Sequence, residues 1–67
     1  MELVVNGERR AVPDGLTVAR LLSHLHVAPE RVVVEVNLTI VKRASHPDIV
    51  LKESDRVEIV RFVGGGS

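Results

Sequence analysis

No cysteine, tryptophan or tyrosine occurs in this 67-residue chain, phenylalanine occurs once, and nine basic side chains are balanced by nine acidic ones. The missing thiols exclude disulfide staples, thiolate metal centres and a cysteine nucleophile, so packing alone has to supply stability. A reducing, cytoplasmic setting is in keeping with that composition. Lacking a basic excess and a set of stacking rings, the chain is not read as a nucleic-acid binder. Long apolar runs are missing too. None approaches the roughly 20 residues of a membrane span, and the N-terminus has no apolar run of roughly 7 to 15 residues after a charged start, so neither a membrane nor a secretory signal is expected. The length leaves room for one domain. A chain of this size hides only about 60% of the surface it exposes unfolded, so a substrate cleft would compete with the core, and an enzyme is not expected.

Valine is plentiful: it supplies fourteen of the thirty hydrophobic residues. Branching at Cβ favours strands, so most of the chain is expected to be sheet. Met1 to Asn6 and Glu8 to Val12 flank Asn6-Gly7, a dipeptide that accepts the positive φ angles of a hairpin turn. After Pro13-Asp14-Gly15, Thr17 is placed to cap a helix from Val18. Val18, Leu21, Leu22 and Leu25 form one apolar stripe over about nine residues, ending before Pro29. Val32 to Asn37 alternates as a strand. Between Leu38 and Leu51 the pattern is irregular, with Ala44 to Asp48 read as a turn and Ile49-Val50-Leu51 as a short edge strand. Arg56 to Val63 is the last strand. Residues 1–63 thus form one domain, α+β, with a mixed sheet of four to five strands and one main helix on one face, the β-grasp or ubiquitin-like arrangement. Residues 64–67, Gly-Gly-Gly-Ser, form a tail expected to be mobile.

Glycine without Cβ threads narrow channels and presents a terminal carboxylate unobstructed. A flexible spacer has the same composition. The order of Val4-Val5-Asn6-Gly7-Glu8, Thr17 to Leu22, Val34-Glu35-Val36-Asn37, Asp55 to Val60 and Phe62 to Gly66 resembles the ThiS family, sulfur carriers of thiamine biosynthesis, over nearly the whole chain. The resemblance implies a protein co-substrate whose terminal glycine is adenylated by an E1-like activating enzyme and then receives sulfur as a thiocarboxylate. Gly66 would be the modified residue and Gly65 its partner. ATP and Mg would belong to the activating enzyme, with no cofactor bound by this chain. A cysteine desulfurase system would supply the sulfur, and thiazole synthase would use it. Ser67 departs from the family pattern, which ends on glycine, so the reactive carboxylate sits on Gly66 only where Ser67 is removed.

Strand alternation sends Met1, Leu3, Val5, Val34, Val36, Val57 and Ile59 toward the helix and Val4, Val33, Val60 and Phe62 to the open face. Those four outward residues, continued by Gly64, form a candidate docking surface for the activating enzyme; a core edge or a dimer contact would use the same residues. His24 and His26 lie about 200° apart on a helix and share no metal, His46 sits in a distant turn, and all three are expected to be exposed. Arg9-Arg10 and Lys42-Arg43 read as solvated surface pairs. No catalytic constellation or metal set is found. Two alternatives stay open: a carrier like the small subunit of molybdopterin synthase, and a ubiquitin-like module that binds without covalent chemistry.

Overall fold

Asn6 and Gly7 take φ angles of 49° and 83°, the left-handed geometry that lets a two-residue turn follow the twist of its strands. Around that turn Glu2–Val5 (β1) and Glu8–Ala11 (β2) pair antiparallel, with Val5 opposite Glu8. The computed structural model describes residues 1–62, so Val63 and the tail lie outside the described residues. At the far end of this hairpin the Met1 ammonium donates to the Val12 carbonyl at 2.8 Å and to Asp14 Oδ1 at 2.9 Å. The hydrogen bond to Asp14, aided by the charges of Asp14, Glu53 and Glu2, raises the proton affinity of that amine against its partial desolvation.

Thr17 Oγ1 accepts from the Arg20 N–H at 3.1 Å and starts the helix Val18–His24 (α1). At seven residues it is shorter than the stripe predicts. His26 turns left-handed at φ 59°, its N–H returns to the Ser23 carbonyl, and the Val27 N–H returns to the Leu22 carbonyl. These paired bonds close a helix in the Schellman manner, and Val27 packs on the core beyond the turn. The helix therefore stops before Pro29 is reached.

Val32–Val36 (β3) and Thr39–Val41 (β4) form a second hairpin with Val36 opposite Thr39. The edge strand thus falls on Thr39–Val41, and the expectation of an edge strand at Ile49 to Leu51 is corrected. Asn37 and Leu38, at φ 51° and 71°, make the turn that Asn6 and Gly7 make in the first hairpin, and a leucine in that role gave no turn signal. Val50 forms a single bridge with Thr17, while Leu51 is drawn into the core. Arg43–Asp48 is a 3-10 turn packed on α1. It turns His46 inward, to 4% exposure, with Nδ1 lacking a hydrogen-bond partner, which corrects the expected exposure of that histidine.

The last strand, Arg56–Arg61 (β5), takes the middle of the sheet, whose order is β2-β1-β5-β3-β4. It runs parallel to β1, with Val5 beside Val57, and antiparallel to β3, with Val34 opposite Ile59. Leu3, Val5, Val34 and Val57 from the sheet meet Val18, Leu21 and Leu22 from the helix, and Val12, Leu16, Val32 and Leu51 close the rim. Leu25, Val36, Ile59 and Met1 are only partly buried against this core. No helix among the described residues is long and apolar enough to cross a membrane.

Leu22 is almost completely enclosed, so Leu22→Ala should lower the unfolding free energy by about 2 to 5 kcal/mol. An unchanged denaturation midpoint would contradict its place in the core. Leu38 is 87% exposed and left-handed, so it gains little from burial and bears backbone strain. Leu38→Gly relieves about 1 to 2 kcal/mol of that strain and returns part of it as extra freedom of the unfolded chain. A net rise in the denaturant midpoint is expected.

Candidate functional site

With α1 packed on one face, alternation along β3 and β5 puts a row of side chains on the other. Val33 stands directly opposite Val60, and the Phe62 N–H donates to the Arg31 carbonyl at 3.0 Å, which carries the pairing one step past the end of β5. Val60 and Phe62 are 57% and 60% exposed, and Val33 is half-buried. Three apolar side chains therefore share the end of the sheet from which the chain continues toward Gly64, Gly65 and Gly66. Those glycines lie outside the described residues.

One row back, Glu35 faces Glu58 across the same strand pair, and Ile40 lies beyond Glu35 on β4. Two like charges directly opposite each other disfavour the sheet, so this pair borders the apolar row at some cost in stability. The Glu35–Glu58 pairing was not read from the sequence. Alternation along β5 puts Glu58 on the open face, but the partner strand and the register that set Glu35 against it are properties of the assembled sheet. Ile40 was missed as an exposed residue because its strand was not recognised.

Val4 points to the same face but stands apart. It lies beside Arg56, four residues before Val60, or about 13 Å along the strand. There it lines a shallow depression of about 130 Å³ with Glu2, Leu3, Arg9, Ser54 and Arg56. Arg9 Nη1 meets Glu2 Oε1 at 3.1 Å across that depression, an exposed pair of little energetic weight. The structure thus brings Val33, Val60 and Phe62 together and leaves Val4 in a second, more polar neighbourhood.

Two asparagines fasten β5 from opposite sides. Asn37 Oδ1 accepts from the Arg56 N–H at 3.0 Å, and its Nδ2 donates to Asp55 Oδ1 at 3.0 Å. Asp55 Oδ2 in turn accepts from the Lys52 N–H at 2.8 Å and shapes the turn before the strand. On the β1 side Asn6 Oδ1 accepts from the Ile59 N–H at 2.7 Å, while Nδ2 donates to the Ile59 carbonyl at 3.3 Å. Among the described residues no group of three or more His, Cys, Asp or Glu side chains is arranged to hold a metal ion.

A five-stranded mixed sheet with its last strand in the middle, parallel to the first, and one helix across one face defines a β-grasp domain of the ubiquitin-like class. Residues 2–66 match the model of the ThiS family, and the chain belongs to that family. It is 40% identical to a solved structure, the thiamine biosynthesis protein ThiS from Geobacter metallireducens, with a TM-score of 0.86 over 98% of this chain and 100% of that one. Two curated relatives bear the name thiazole synthase. The one from Paramagnetospirillum magneticum is 45% identical over 100% of this chain and 21% of its own length. The one from Magnetococcus marinus is 42% identical over 98% of this chain and 20% of its own. The chain therefore spans about a fifth of the length of these two relatives.

Proposed function

We propose that this chain is a sulfur carrier of thiamine biosynthesis whose Gly66 carboxyl group is adenylated and converted to a thiocarboxylate that supplies sulfur for thiazole formation. The observation that carries the proposal is the family match running to residue 66. It extends through a strand fixed at the centre of the sheet and past three exposed or half-exposed apolar side chains. Once Ser67 is removed, the chain would bring one reactive group, a backbone carboxylate on Gly66, a residue without Cβ. An E1-like partner would supply ATP and Mg. A carboxylate oxygen attacks the α-phosphorus of ATP and pyrophosphate leaves; the terminal sulfur of a persulfide supplied by a desulfurase system then attacks the acyl carbon and displaces AMP, and a thiol reductant cleaves the resulting acyl disulfide to release the thiocarboxylate. The two relatives named thiazole synthase, each containing a segment similar to this chain, support thiazole synthase as the recipient.

The docking surface for the activating enzyme is Phe62, Val60 and Val33, continued by Gly64, with Glu35 and Glu58 at its border favouring a partner that brings a basic group. Val4 serves at most as a separate contact. Phe62→Ala should weaken association with the activating enzyme more than it lowers stability, because a half-exposed aromatic holds little of the core and offers a large anchor. Titration of both forms by calorimetry, with denaturation curves alongside, decides this, and equal affinities would remove Phe62 from the surface.

Gly66-terminated protein incubated with the activating enzyme, ATP and a sulfur donor should gain about 16 Da as sulfur replaces oxygen. The form that retains Ser67 should keep its mass, because its carboxylate sits on a hindered residue. Intact-mass spectrometry reads both. No gain in either form would favour the ubiquitin-like module that binds without covalent chemistry.

A further inference from the structure

Asn6 makes the turn of the first hairpin, and its side chain performs a second task that the turn does not need. Strand β1 pairs with β5 only as far as Val5 beside Val57, and the Asn6 N–H still donates to the Val57 carbonyl at 2.9 Å. A continuing parallel strand would next offer its main-chain carbonyl to the Ile59 N–H. Here the chain has already turned away at φ 49°, and the side-chain amide stands in, accepting from the Ile59 N–H and donating to the Ile59 carbonyl. Antiparallel pairing with β3 alternates, so the residues of β5 that bond toward β3 are Glu58, Val60 and Phe62. Arg61 bonds toward the side that β1 has left. Ile59 is consequently the last residue of β5 held on the β1 edge among the described residues, while Val60 and Phe62 stay bonded toward β3 alone.

We propose that Asn6 is a positioning residue for the carrier reaction: its amide clamp on Ile59 fixes the point at which β5 stops being held on two edges, and so sets how the segment leading to Gly66 is presented. This rests on the proposed function for its catalytic consequence, though not for the clamp itself. The apolar residues Val33, Val60 and Phe62 supply affinity for the partner. The clamp supplies orientation, which matters to the transfer step more than to binding, since small misplacement of a reacting group costs rate steeply.

Asn6→Gly separates the two tasks of the residue, because glycine keeps the left-handed turn and removes the amide. Hydrogen exchange followed by NMR should show the Ile59 amide opening at least about tenfold faster, beyond any change shared by the amides of Leu21 and Val34. In the activating reaction, the variant should keep a carrier KM within about twofold of the parent and lose about fivefold in kcat. Asn6→Asp, which retains the acceptor and loses the donor, should fall between. Leu22→Ala supplies the control for general loss of stability and should leave kcat in place at a temperature where it is folded. Unchanged relative exchange at Ile59 overturns the clamp. A rise in KM at constant kcat overturns the positioning role. A parent protein that takes up no sulfur overturns the proposed function and the kinetic consequence with it, while exchange at Ile59 still decides the clamp.

Discussion

The pairing of Val4 and Val5 with Arg56 and Val57 joins the two ends of the chain, and the rest of the sheet depends on it. On one side of β5 lies the hairpin of β1 and β2, on the other the hairpin of β3 and β4. Each two-stranded hairpin alone would be marginal in water. Inserted between them, β5 turns two hairpins into one five-stranded surface broad enough to hold α1. The contact spans some fifty residues of sequence, so its loop-closure entropy has to be met by side-chain burial. Leu3, Val5 and Val57, enclosed beneath Val18, Leu21 and Leu22, provide it.

A single seven-residue helix covers only one face of such a sheet. The opposite face stays in water, and a purely structural sheet would fill it with polar side chains. Instead Val60 and Phe62 stand more than half exposed next to Val33, with two glutamates facing each other one row away. Neither feature stabilises the isolated domain. Both lie on the face of the strand that leads toward the glycines. Under the proposed function, that face would serve association with the activating partner rather than further packing.

The two hairpins solve the same turn differently. Asn6-Gly7 combines the two residue types that best tolerate left-handed backbone, whereas Asn37-Leu38 places a leucine there in solvent. Both asparagines also reach β5 with their side chains, so the turns and the central strand are fixed by the same residues. In a domain with a small core, such double use adds hydrogen bonds where no additional apolar burial is to be had.

Local pattern was enough for the elements whose signals lie within a few residues. Asn6-Gly7 marked the first turn, Thr17 the helix start, the 3- and 4-residue spacing of Val18, Leu21 and Leu22 the buried stripe, and alternation in Arg56 to Val63 the outward placement of Val60 and Phe62. The order of these elements also carried the fold, because hairpin, helix and strands in that sequence assemble in few ways. What tertiary structure decided was everything that depends on a neighbour distant in sequence. His26 ended the helix early because its left-handed turn docks Val27 on the core. Thr39–Val41 became the edge strand because β3 was there to pair with it, while Leu51 was taken inward. His46 was buried by the packing of its turn on α1. Val4 was separated from Val60 by the parallel register, and Asn6 met Ile59 only because the last strand lies beside the first. Periodicity reports which face a residue occupies; which residue stands next to it is fixed by strand order and register, and these arise only when the whole sheet closes around its core.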